Sequence, residues 1–282
     1  MGLLLAAYLA VAGSLWWKQE RLLFQPEVLP ADHRFKVPDD VREVFIDVPG
    51  ARLHALHMRL PKPDGVVFYL HGNGGSLDSW FAVHQFYREL NVDLFMIDYR
   101  GYGKSTGRNT HEAQLMADVG AAWRTIAPQY EGKPVVFFGR SLGSGLAAKL
   151  AASLPDADKP DLLVLVSPYV SLKAMAAEMM PLLPTSVLLR YPLRTDEALA
   201  RLAGTRTRML LLHGDRDALI PYLNSELLAR AVPSARLLRI EGAGHGDISG
   251  HEDYLNAVGQ AITSAVRPAR SGNPAEQADG AH

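Results

Sequence analysis

At Val135-Val136-Phe137-Phe138 a short apolar run leads directly into Gly139-Arg140-Ser141-Leu142-Gly143, and a helical pattern begins at once. A G-x-S-x-G between a strand and a helix leaves few folds open. The serine must sit at the tip of a very tight turn, its hydroxyl lifted clear of the strand's end. Glycine two positions before and two after it avoids the clash a Cβ would make in so sharp a bend. Such a turn needs a sheet behind it and a helix leaving it, the strand–helix alternation of an α/β domain.

That alternation runs through the chain. Val44–Val48 and Leu53–Arg59 alternate apolar and polar residues around a Pro49-Gly50 turn, as half-buried antiparallel strands do. Continuous apolar runs follow at Val66–Leu70, Val92–Ile97, Val135–Phe138, Leu162–Val166 and Met209–Leu212, with a shorter one at Leu237–Ile240. Runs of this kind are strands buried on both faces of a parallel sheet. Helical patterns occupy Ser79–Glu89, His111–Ile126, Gly143–Ser153, Leu223–Ala231 and His251–Val266. The rhythm predicts one α/β domain over residues 40–267. It breaks between residues 171 and 205, where a Met- and Leu-rich stretch carries Pro181, Pro184 and Pro192. This stretch reads as a small helical lid over the sheet's C-terminal edge.

The two ends differ from the middle. Gly2–Trp17 is apolar except for Ser14, and Trp16, Trp17, Lys18 and Arg21 close it. As a helix its sixteen residues span about 24 Å, slightly short of a ~30 Å hydrocarbon core. Tryptophans followed by cations suit a membrane interface, so residues 1–24 are expected to anchor the chain through a transmembrane helix. A cleaved signal peptide, with Ala10-Val11-Ala12 as its site, and a buried soluble helix are the alternatives. Lys18 and Arg21 beyond the run place the remaining domain on the cytoplasmic side by the positive-inside rule. From Pro268 the chain reads Pro-Ala-Arg-Ser-Gly-Asn-Pro-Ala-Glu-Gln, which cannot bury a core, so residues 268–282 are expected to be a disordered tail.

Three further segments bear on the chemistry. His71-Gly72-Asn73-Gly74-Gly75 follows the strand at Val66–Leu70, and its small residues let backbone N–H groups approach a developing oxyanion. Met209–Leu212 ends in His213-Gly214-Asp215-Arg216-Asp217, which offers two carboxylates beyond a strand's C-terminus. Ile240 leads into Gly242-Ala243-Gly244-His245, a loop histidine after the last strand. Serine, acid and histidine thus occur in the order of a nucleophile, an orienting acid and a general base.

These motifs resemble the α/β-hydrolase superfamily over about residues 40–266, and Asp98-Tyr99-Arg100-Gly101-Tyr102-Gly103 resembles the turn after that fold's fourth strand. The resemblance implies a mostly parallel eight-stranded sheet with helices on both faces. It implies Ser141 as nucleophile, His245 as base and Asp217, the fifth residue of H-G-x-x-D, as the acid in preference to Asp215. The N–H groups of Asn73 and Leu142 would form the oxyanion hole. His71-Gly72-Asn73-Gly74, an N-terminal anchor and a small lid are more particular. Together they resemble the membrane-associated branch that contains protein depalmitoylases and lipid-processing serine hydrolases. That branch's palmitate-removing members have cysteine-rich N-termini, and this chain has no cysteine.

The expected activity is cleavage of a small-molecule or lipid acyl ester or thioester, with Met175, Met179 and Leu183 lining an acyl pocket and membrane contact through the N-terminal helix. Amide or peptide cleavage by the same residues, or a non-catalytic binding role, are the alternatives. No cofactor is expected. Gly143-Ser144-Gly145-Leu146-Ala147-Ala148 matches a dinucleotide fingerprint, yet the following strand, Leu162–Val166, ends at Ser167 without the acid that a ribose needs. The histidines show no metal-binding spacing. A formal net charge of −1 without a basic block argues against a nucleic-acid partner.

Overall fold

The computed structural model describes residues 2–267. The expected tail at 268–282 lies outside the described residues.

Eight strands form the main sheet: β1 Val41–Val48, β2 Ala51–Met58, β3 Val66–Leu70, β4 Asp93–Asp98, β5 Val135–Arg140, β6 Leu162–Val166, β7 Arg208–Gly214 and β8 Ala235–Ile240. Their spatial order is β8-β7-β6-β5-β3-β4-β2-β1. From β8 to β4 every pairing is parallel, and β2 and β1 continue the sheet antiparallel. The sheet is that of the α/β-hydrolase fold, with β3 and β5 adjacent at its centre.

Ten α-helices accompany the sheet among the described residues: α1 Gly2–Leu23, α2 Leu77–Trp80, α3 His84–Glu89, α4 Glu112–Ile126, α5 Leu142–Ser153, α6 Leu172–Met179, α7 Thr185–Leu188, α8 Thr195–Leu202, α9 Leu223–Ala231 and α10 Glu252–Val266. Alternate side chains along each strand enter opposite layers. Phe68 packs with Trp123 of α4 and Leu146 of α5, whereas Val67 and Tyr69 pack with Tyr87 of α3 and Val258 of α10. Burial on both faces is the reason the central strands read as unbroken apolar runs.

Three details depart from expectation. The helix expected over Ser79–Glu89 starts earlier, because the Ser76 hydroxyl accepts from the Asp78 N–H and caps it. A 3-10 turn at Phe81–Val83 then divides it into α2 and α3. At the far end of the stretch expected to be a lid, α8 buries Ala198, Leu199 and Leu202 in the layer that contains α5. The segment with little burial is therefore α6, α7 and the turn between them.

The transmembrane expectation needs correction. No helix among the described residues is long and apolar enough to cross a membrane. The apolar run does become helix, but α1 continues through Lys18, Gln19, Glu20 and Arg21, so its second half is too polar to sit in hydrocarbon. Gln19 is itself buried against the domain.

Remote from the serine, buried His57 on β2 bonds to the Tyr130 hydroxyl at 2.7 Å, and Tyr130 donates to Asp93 at 2.6 Å. Burial, with the charge of Arg59 adding to it, pushes the imidazole pKa down to about 4. The unfolded chain therefore takes up a proton that the folded chain refuses. Stability from this site is complete above pH ~6.5 and is lost as pH falls toward 4, by up to about 3 kcal/mol. Denaturant unfolding at pH 7.5 and 4.5 should show a smaller drop in His57→Gln than in the parent. Equal drops would remove His57 as the cause.

Candidate active site

The turn after β5 has the expected construction. Ser141 adopts φ 54°, a left-handed conformation that costs a non-glycine residue energy and is held by its surroundings. Its N–H donates to the Val166 carbonyl on β6 at 2.9 Å, and Ser144 Oγ donates to the Ser141 carbonyl at 2.6 Å. A Cβ on Gly139 would collide with the Gly143 carbonyl, and one on Gly143 with the Leu70 carbonyl at the end of β3. Both glycines are thus required by close backbone approach.

Beyond the C-terminal ends of the strands, three side chains from separate loops meet. His245 Nε2 lies 3.0 Å from Ser141 Oγ, and its Nδ1 lies 2.7 Å from Asp217 Oδ2. Asp217 Oδ1 accepts the N–H groups of Leu219 and Ile220 at 3.0 and 2.8 Å. Burial opposes ionisation of Asp217, but hydrogen bonds from His213, His245 and the Ile220 N–H outweigh it and hold the carboxyl well below the usual range. A buried carboxylate held in its ionised form favours the tautomer with the proton on Nδ1, which leaves Nε2 free to accept from the serine. Asp215 turns away, pairing with Arg239 at 2.6 Å and accepting the Gly242 N–H at 2.8 Å. The structure therefore brings Asp217, not Asp215, to the histidine.

Asn73 and Leu142 line the same cavity as Ser141, and neither N–H donates to a protein acceptor among the described residues. Leu142 opens α5, where backbone N–H groups have no intrahelical acceptor and the helix end favours negative charge. The Asn73 loop is propped from several sides. His71 Nδ1 bonds to the Gly72 carbonyl at 2.7 Å and so fixes the peptide that carries the Asn73 N–H. Tyr102 and Trp80 donate to the carbonyls of Asn73 and Gly74 at 2.6 Å each. The arrangement fits a nucleophile with its base and two N–H donors facing a developing oxyanion.

Above Ser141 lies an apolar cavity of about 390 Å³. Met175, Met179 and Leu183 line it, whereas neighbouring Leu182 is exposed. Sequence reasoning missed two contributors. Leu15, Trp16, Gln19, Leu22 and Leu23 of α1 form part of the wall. Arg140, the variable residue before the serine, donates to the carbonyls of His245 and Gly246 at 2.8 and 3.2 Å and so steadies the histidine loop. Neither role has a local signal, since both depend on partners more than 100 residues away.

Comparison with known proteins supports the same fold. A family described as serine aminopeptidase, S33, matches residues 61–191, and one described as TAP-like protein matches residues 188–270. An uncharacterised protein of Mycobacterium tuberculosis is 31% identical over 243 residues, covering 83% of this chain and 82% of the relative. The alpha/beta hydrolase domain-containing protein 17B of Homo sapiens is 28% identical over 225 residues, covering 77% and 73%. Among solved structures, a Pyrococcus furiosus esterase superposes with a TM-score of 0.67 at 19% identity, covering 86% of this chain and 98% of that one.

Proposed function

This chain belongs to the α/β-hydrolase superfamily, and from that membership we propose that it is a serine hydrolase cleaving carboxylic ester or thioester bonds of lipid-like acyl substrates. The observation that carries the reading is the continuous hydrogen-bond chain from Asp217 through His245 to Ser141, opening into an apolar cavity.

In the proposed reaction Ser141 Oγ attacks the acyl carbon while His245 Nε2 takes its proton. Asp217 holds the imidazole in place and stabilises its cationic form. The N–H groups of Asn73 and Leu142 receive the oxyanion, worth ~3–4 kcal/mol per donor in comparable sites. His245 then passes the proton to the departing alcohol or thiol, and water attacks the acyl-enzyme by the same route in reverse.

Amide cleavage remains the second reading, because one matched family is described as a serine aminopeptidase. An aminopeptidase needs a carboxylate to hold the substrate's terminal amine, and no Asp or Glu lines this cavity among the described residues. Membrane contact is part of the proposal in a modified form. Leu3, Leu4, Leu9 and Trp17 on α1 are exposed, as are Leu182 and Val187 beside the cavity. An exposed apolar half-helix followed by Lys18 and Arg21 suits contact with a lipid interface. A ladder of p-nitrophenyl esters set against aminoacyl p-nitroanilides is expected to give kcat/KM at least ~100-fold higher for the esters. Preferential turnover of the anilides would replace the ester reading by the peptidase one.

A further inference from the structure

We infer that α1 is a wall of the substrate site and sets its acyl-chain selectivity, the chain of a long-chain lipid lying between α1 and α6. This rests on the reading of Ser141 as nucleophile.

Three sets of contacts fix α1 rigidly over the cavity. Gln19, buried within an otherwise largely apolar helix, donates to the carbonyls of Trp16 and Leu188 at 2.9 and 3.2 Å and accepts the Arg190 N–H at 2.8 Å. A buried amide is costly unless its hydrogen bonds are met, and here two of the three are met by Leu188 and Arg190, in the segment whose Leu188 and Leu189 also line the cavity. Arg190 reinforces this latch, reaching Glu20 at 2.9 Å and the Trp16 carbonyl at 2.8 Å, with its guanidinium 4.3 Å from the centre of the Trp16 ring. Nearer the N-terminus, the Tyr8 hydroxyl donates to the Leu182 carbonyl at 3.0 Å.

The third set ties α1 to the reacting end of the site. Phe24, directly after the helix, is buried in the core against Tyr191, with ring centroids 5.1 Å apart. Gln25 and Pro26 then pair in parallel with Gly74 and Gly75, and the Gln25 N–H donates to the Asn73 carbonyl at 2.9 Å. A helix held at its middle to residues 182–190 and at its end to the Asn73 loop is not a tether. Its position is registered to the proposed oxyanion donor, so the wall it forms has a defined distance from Ser141.

The chemistry of that wall selects the ligand. Leu15, Leu22 and Leu23 line the cavity together with Met175, Ala176 and Leu183, so both α1 and the α6 segment give it aliphatic surface. Flexible methionine beside aliphatic side chains accommodates an alkyl chain and offers little to a polar substituent. The volume, about 390 Å³, lies in the ~300–1,000 Å³ range of small-molecule pockets.

The test uses the full chain and a ladder of ethyl, octyl and hexadecyl fluorophosphonates, reading the rate at which each modifies Ser141. The parent should react with the hexadecyl probe at least about tenfold faster than with the ethyl probe. Leu15→Trp, filling the cavity from α1, should reduce the hexadecyl-to-ethyl rate ratio by at least about tenfold, and Met175→Trp, filling it from α6, should do the same. The ratio is taken within one preparation, so an unfolded fraction cancels. A Leu15→Trp ratio equal to the parent's, with Met175→Trp changed, would overturn the inference, as would an equal fall for all three probes. A parent that discriminates among the probes yet turns over no ester would remove the ester reading and leave the α1 wall standing. A parent that reacts with no probe would overturn both.

Discussion

Ser141→Ala is expected to abolish labelling by a fluorophosphonate and to lower kcat/KM on the best ester by roughly 10⁶-fold. The hydroxyl is the group within 3.0 Å of His245 Nε2, and alanine leaves the histidine with no nucleophile to activate. The fold should be unaffected. The strained backbone at φ 54° is held by the bond to Val166 and by the flanking glycines, none of which involves Oγ. Thermal unfolding of the variant should therefore match the parent. Labelling that survives in Ser141→Ala would mean that another residue reacts, and the proposed mechanism would fall.

Asp217→Asn should cost ~10⁴-fold in kcat, whereas Asp215→Asn should change it by only about severalfold. Asparagine would keep the shape of the side chain while replacing a carboxylate oxygen with an amide. If the amide nitrogen faced Nδ1, that ring nitrogen would have to accept, and the proton would move to Nε2, where it blocks transfer from the serine. The paired variants separate the two acids of a single H-G-x-x-D motif. Asp215 binds Arg239 and the Gly242 N–H at the sheet's edge, so its loss should act on loop stability and leave the proton path intact. A larger loss from Asp215→Asn than from Asp217→Asn would reverse the assignment.

The sequence carried the parts of this molecule whose cause is local. Strands β3 to β7 are flanked by helices on both faces, so burial marks them residue by residue. The Gly139–Gly143 turn is legible because two backbone approaches forbid any other residue at its ends. Ser141, Asp217 and His245 could be named because each follows a strand end in a short motif, and the structure places them in contact. What the sequence hid depends on partners far along the chain. In isolation Gly2–Trp17 has the composition of an anchor. Its placement is decided by Gln19 and Glu20, whose partner Arg190 is 170 or more residues away. Arg140 was hidden for the same reason, since the loop it steadies is supplied by residues 245 and 246.

The bond between Ser141 and His245 joins residues 104 positions apart, and the Gln25–Gly74 pairing closes another long loop. The chain entropy lost in closing loops of this size has to be recovered from contacts that the sheet and its helices provide. The strained turn at Ser141 likewise persists only when β3 and β6 already press against it. The geometry at Ser141 thus depends on the framework of strands around it. Under the proposed mechanism, ester cleavage is therefore expected to return on refolding no sooner than the packing of the sheet.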